Sequence, residues 1–223
     1  MRREVAAISQ PSATGSILIC FAVKEEAAPF LRQFRNLPRV QTLITGMGRA
    51  NALRTLRPKL DESKPALVLS CGFAGGLAPK WRCGDVLFEP ETGQFAERLR
   101  ASAAVPARFL CADRVASTAA EKSAALAATY ADAVEMESGH ISAECRERGI
   151  PCVTVRVVLD TAEEDLPLDF NALMTPDLRL DFWKLAREIA RHPGKIRGLL
   201  RMQKQSQVAA KRLADVLSRF CRA

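Results

Sequence analysis

The sequence predicts a single α/β domain. Short apolar runs suited to strands covered on both faces, such as Ile17–Val23 and Ala66–Ser70, alternate with helix-like segments. Gly and Pro residues punctuate the chain between these runs. A length of 223 residues suits one large domain with a real core, and 48% hydrophobic content is ordinary for a globular chain.

The most informative stretch is 132–165. It reads as a strand (Ala133–Met136), a helix (Ser138–Arg148), a Gly149-Ile150-Pro151 stop and a second strand (Cys152–Leu159). Each strand runs into a carboxylate, Glu137 after the first and Asp160 after the second. Ligands of open α/β sheets gather at the carboxyl ends of strands, so two acids arriving there could hold one small polar molecule. Spacing alone leaves blander readings open: Glu137 as an acid favoured by a helix dipole, and Asp160 as a loop starter or N-cap.

Residues 1–16 lack the apolar run of a signal peptide and read as a disordered leader. No segment approaches the ~18 apolar residues that span a bilayer. After Ile17–Val23, Lys24-Glu25-Glu26 opens a helix to about Phe34, which makes Glu26 a third acid at a strand end. Thr42–Thr45 is a strand leading into Gly46-Met47-Gly48-Arg49-Ala50-Asn51-Ala52 and a helix to about Leu60. Such a turn can cradle an anion, with Gly46 and Arg49 as candidates, or be a tight turn and nothing more. Asn51 at the third glycine position, with no acid at the ribose-binding distance, argues against a dinucleotide fold.

Ala66–Ser70 runs into Cys71–Pro79, where three glycines in five residues let backbone approach a ligand closely. Val86–Phe88 is a short strand, residues 89–106 read as irregular surface, and Arg108–Cys111 is a weak strand. Ala119–Tyr130 is an Ala-rich helix that Ser117 or Thr118 could cap, with Glu121 as partner. Thr161–Pro167 and Asp169–Asp177 read as loops. Asp181–Arg191 is a helix stopped by His192-Pro193-Gly194. Lys195–Arg222 is a basic amphipathic helix that packs on the domain, pairs with another subunit or lies on a membrane surface.

Seven scattered cysteines, odd in number and without a C-x-x-C pair, read as free thiols of a reducing compartment. Two histidines, His140 and His192, supply a Ser-His-Asp triad or a metal site poorly. The net charge is +8; from Asp181 onward eleven Lys/Arg face three acids, so the rest of the chain is neutral. That local excess points to an anionic partner or, equally, to a solvated helix face. Nucleic acid is the weakest partner, because the basic tail lacks interleaved aromatic residues.

Five motifs occur in the order typical of the nucleoside phosphorylase superfamily: Ala22–Glu26, Thr45–Ala52, Gly72–Pro79 with Gly84-Asp85, Val134–Ser138 and Val155–Asp160. The chain resembles its methylthioadenosine/S-adenosylhomocysteine nucleosidases. Asp113–Thr118 followed by Ala120-Glu121-Lys122, the Met136-Glu137-Ser138 form, Leu166-Pro167 and His192-Pro193-Gly194 look like the hopanoid-associated phosphorylases, a group linked to adenine release from adenosylhopane.

The resemblance implies a three-layer domain over 17–180, a mixed central sheet flanked by helices, followed by a basic helical extension, 181–223. It implies cleavage of a purine N-glycosidic bond, with Asp160 as general acid toward the base and Glu26 activating water. Glu137 would hold the ribose hydroxyls and Met136 pack on the sugar, while Phe73, Ala74 and Gly75 line the substrate. Ser70 and Phe73 stand where phosphorolytic hexameric relatives carry arginine and serine, and the Glu26 carboxylate would repel phosphate. Hydrolysis is therefore favoured, with inorganic phosphate as co-substrate the alternative and no metal or organic cofactor implied. The segment from Asp85 to Val134 is shorter than in the methylthioadenosine nucleosidases and lacks their aromatic–Asn–Gly stretch, so the base pocket is expected to be open or completed by a partner subunit. A homodimer or higher homo-oligomer is expected, cytoplasmic, with peripheral contact at the inner face of the membrane through 181–223 as an open possibility. The rival functions are methylthioadenosine/S-adenosylhomocysteine cleavage and a non-catalytic, membrane-associated scaffold on the same fold.

Overall fold

The computed structural model describes residues 15–33, 38–90 and 92–222; the leader expected at 1–16 lies almost wholly outside them. Eight strands form one mixed sheet: β1 (Ile17–Phe21), β2 (Val40–Ile44), β3 (Leu67–Gly76), β4 (Val86–Glu89), β5 (Val105–Pro106), β6 (Phe109–Cys111), β7 (Ala133–Glu135) and β8 (Cys152–Asp160). The order is β2-β1-β3-β8-β4-β5. β2, β1, β3 and β8 run parallel, and β4 is antiparallel to β8. The far end of β3 turns to a different neighbour, pairing antiparallel with β7, which in turn carries β6.

Helices cover both faces. The long helices are α1 (Lys24–Gln33), α2 (Gly48–Ser63), α4 (Ala119–Thr129), α5 (Ser138–Glu147) and α8 (Ile196–Arg222). The period-2 alternation of strand side chains decides which face each serves. Ile19, Phe21, Leu67 and Leu69 point to one side, where they pack with Phe30 of α1 and Leu213, Leu217 and Phe220 of α8. Leu18, Cys20 and Val68 point to the other, against Leu56 and Leu60 of α2 and Ile141 and Cys145 of α5. This sandwich makes the three-layer architecture expected from the motifs.

α4 begins as its sequence predicts. The Thr118 side chain accepts the Glu121 N–H, and the Glu121 carboxylate accepts the Ser117 and Thr118 N–H groups, closing a capping box. Thr118→Ala should cost about 1 kcal/mol. In a chain of this size that lowers the melting midpoint by roughly 2–4 °C, readable by differential scanning calorimetry.

Three expectations need correction. β3 does not end at Ser70 but continues through the glycines to Gly76, because it finds β8 on one side and β7 on the other. Within the supposed irregular surface of 89–106, α3 (Gln94–Ala101) forms and buries Ala96 and Leu99. It docks on the end of α8, where Arg98 donates to the Phe220 carbonyl at 2.7 Å and lies over the Phe220 ring. Within 169–177, α6 (Phe170–Leu173) forms because the Asp169 side chain accepts the Asn171 and Ala172 N–H groups.

The C-terminal segment is two things at once. From Ala209 to Phe220, α8 is part of the core. No residue of α7 (Phe182–Arg191) is buried, and of the first turns of α8 Met202 packs against the core.

Candidate active site

The strand ends of β1, β3, β7 and β8 converge on a cavity of about 480 Å³, a size suited to a small-molecule ligand. Glu26, Glu137 and Asp160 all line it, together with Met136, Phe73, Ala74 and Gly75. Each acid is placed by a different device.

Glu26 sits in the first turn of α1, directly after β1. Its Oε2 accepts the N–H groups of Ala22 at 2.9 Å and Val23 at 3.1 Å, and its Oε1 accepts the Phe73 N–H at 2.8 Å. The carboxylate thus ties the end of β1 to β3 at Phe73. Burial pushes its pKa up to about 7, against the pull of Arg156 and the backbone donors. That places it near the value a general base needs at neutral pH.

Glu137 occupies the N-cap position of α5 but caps nothing with its side chain. Its Oε1 instead accepts the N–H of Gly48, the first residue of α2, at 2.8 Å. Burial raises its pKa, opposed by Arg156.

Asp160 ends β8 at an irregularity. The register with β3 shifts between Ala74 and Gly75, so that Gly75 faces Asp160 and Leu159 is the extra residue. Such a bulge re-aims the following side chain, and here it turns Asp160 to the cavity. Its carboxylate pairs with Lys122 of α4, a side chain with no exposure whose Nζ also donates to the carbonyls of Thr161 and Glu164. Burial raises the Asp160 pKa, and the Lys122 pairing limits the rise. Burial thus pushes both Asp160 and Glu26 above the usual carboxylate range, with a buried lysine set against Asp160 and backbone donors against Glu26.

Beneath the cavity lies a charge cluster the sequence reading did not single out. Arg156, in the middle of β8, is 1% exposed. It pairs with Glu135, lies 3.6 Å from Glu137 and donates to Ser70 Oγ at 3.3 Å. Burial alone would raise the pKa of Glu135, but Arg156 and the donors Ser138 Oγ, Ser138 N–H and Glu137 N–H hold it low. Gly72 makes room for this cluster: a β-carbon there would fall 2.4 Å from Arg156 Nη1 and 2.7 Å from Glu26 Oε1. An arginine inside the apolar run Cys-Val-Thr-Val-Arg-Val-Val-Leu was the available signal, since a buried guanidinium demands carboxylate partners.

Gly46 and Arg49 do not line the cavity. The Gly46 N–H is bonded to the Ala22 carbonyl at 3.0 Å, and Arg49 is exposed. An apolar part of the lining was also unforeseen. Leu166, Phe170, Met174, Leu180 and Met202 contribute it. Asn171 fixes this side by bonding both backbone groups of Val115 at 2.9 Å. α8 approaches closely at Gly198, where a β-carbon would be 2.8 Å from Pro167 Cβ, and Met202 follows one turn later.

A family model described as the phosphorylase superfamily matches residues 94–191. The fold is similar to that of the methylthioadenosine/S-adenosylhomocysteine nucleosidase of Neisseria meningitidis solved with methylthio-immucillin-A: TM-score 0.69, 16% identity, 92% of this chain and 97% of that one. It is similar to the S-adenosylhomocysteine nucleosidase of Streptococcus pyogenes (TM-score 0.67, 16% identity, 93% and 96% covered). It is also similar to futalosine hydrolase of Helicobacter pylori (TM-score 0.65, 17% identity, 91% and 97% covered). The superfamily inferred from the motifs is thus the one whose model matches residues 94–191, and the fold is similar to that of these nucleosidases.

Proposed function

We propose that the protein is an enzyme that hydrolyses the N-glycosidic bond of an adenine nucleoside carrying a bulky apolar 5′ substituent. The observation that carries this is the placing of Glu26, Glu137 and Asp160 around one cavity that Leu166, Phe170, Met174, Leu180 and Met202 also line. In the reaction the C1′–N9 bond breaks with its electron pair going to the base, and Asp160 delivers a proton to N7. Water attacks C1′ and gives its proton to Glu26. Glu137 accepts hydrogen bonds from the ribose hydroxyls, with Met136 against the sugar. The excess of carboxylates over cations suits a ribosyl centre that becomes positive.

Water is favoured over phosphate for three reasons. The Gly46 and Gly48 N–H groups that could cradle an anion are spent on the Ala22 carbonyl and Glu137. The cation on the cavity wall, Arg114, is paired with Glu121. Arg156, behind the cavity wall, is already paired with Glu135 and lies 3.6 Å from Glu137.

An adenosyl group on a hopane lipid is the preferred substrate, supported by the motif resemblance and by the apolar wall from Leu166 to Met202. Methylthioadenosine is the second reading, favoured by the fold neighbours. Adenine release should be compared across 5′-substituents of increasing apolar length. A kcat/KM that rises with length supports the lipid reading; a maximum at methylthio supports the second.

The pH profile follows from Glu26. A base must be ionised, so kcat/KM should fall about tenfold per unit as pH drops below about 7. A profile flat from pH 5 to 8 would remove Glu26 from the role of base.

A further inference from the structure

Among the described residues the apolar face of α7 is only partly covered, with Leu185 and Ile189 half-buried and Phe182 exposed. Phe182, Leu185, Ala186 and Ile189 recur at helical spacing on one side, with Trp183 at its edge. Phe182 is 74% exposed and Trp183 87%. Among the described residues, five of the eight exposed large apolar side chains fall between 182 and 208. The same region carries charge of one sign: seven Lys/Arg lie between 184 and 204 against one acid, Glu188. Arg187, Arg197 and Lys204 have no carboxylate partner among the described residues.

We infer that α7 and the first turns of α8 are a docking surface for an anionic lipid bilayer. An apolar stripe bearing Trp and Phe, backed by Lys184, Arg187 and Arg191, is the make-up of a helix that lies in the lipid–water interface. Positive charge on this scale selects a negative surface and adds affinity with each residue. A second copy of this chain is the poorer occupant, because a two-fold contact would set the same basic patch against itself. Contact is peripheral, since no helix among the described residues is long and apolar enough to cross a membrane.

The position of the surface gives it a use. α7 follows directly on Leu180, and its Lys184 Nζ donates to the Ala172 and Met174 carbonyls. Leu180, Met174 and Met202 line the cavity. A protein held by α7 therefore has the part of its cavity lined by Met174 and Leu180 beside the bilayer. The surface itself is inferred independently of the proposed reaction.

The test is co-sedimentation with phosphatidylcholine vesicles, with and without phosphatidylglycerol, while recording tryptophan emission. The other tryptophan, Trp81, is buried and donates to Asp132 Oδ1 at 3.1 Å, so a change reports Trp183. Binding should require phosphatidylglycerol, weaken with salt and shift emission to the blue. Arg187→Gln with Arg197→Gln should weaken it about thirtyfold, and Phe182→Ser with Trp183→Ser by at least about tenfold. These residues lie outside the core and the cavity wall, so both variants should keep the parent melting midpoint. No binding at low salt, or binding that is equal on neutral vesicles, overturns the proposal. So does a dimer in sedimentation that the Phe182/Trp183 variant splits, or retention on an acidic polymer with no response to vesicles.

Discussion

Replacing Arg156 by Met is expected to remove about 3–5 kcal/mol of folding stability. That is a fall in the melting midpoint of roughly 6–20 °C for a chain of this size. The side chain itself fits an apolar strand, so the loss comes from what it leaves behind. Glu26, Glu135 and Glu137 would stand largely buried beside one another on the cavity wall with no positive charge beneath them. The pH dependence separates this cause from lost packing. Glu26 has a folded pKa of about 7, above its usual value, so its ionised form already opposes folding and stability improves as pH falls through that range. Without Arg156 the folded pKa rises further. The deficit of the variant should therefore shrink from about pH 8 to about pH 5. A deficit independent of pH would assign the loss to packing.

Asp160→Asn is expected to lower kcat/KM for adenine release by about 10²–10⁴ while leaving the fold in place. Its amide oxygen can still accept from Lys122, so the local geometry survives and only the transferable proton goes. Glu26→Gln should be comparably damaging but is a less clean experiment. The Glu26 carboxylate accepts three backbone N–H groups, and an amide would turn an NH₂ toward at least one of them. Its activity loss has to be read beside its unfolding curve. Unfolding curves that match the parent, together with undiminished release in Asp160→Asn, would leave Asp160 without a catalytic role.

Much of this site is legible in the chain because the acids lie next to the strands that deliver them. Glu26 follows β1, Glu137 follows β7 and Asp160 ends β8, so local pattern puts each at a strand end, and the antiparallel run of β7 along β3 brings Glu137 to the others. What escaped is nonlocal. Lys122 sits in an Ala-rich helix whose composition gives no sign of burial. Its environment comes from carbonyls of Thr161 and Glu164, about forty positions away. α3 is short and charged, and is held by the Phe220 end of a helix at the far end of the chain. The apolar wall joins Leu166, Met174 and Met202 from three separate segments, and no single one of them signals a cavity.

The central claim is that these acids break a glycosidic bond with water. The direct measurement is adenine release from a 5′-substituted adenosine in phosphate-free buffer, with the sugar product identified and phosphate then added in excess. The account predicts release without phosphate, a free sugar as product and no acceleration on its addition. Release that begins only with phosphate and yields a sugar 1-phosphate contradicts it.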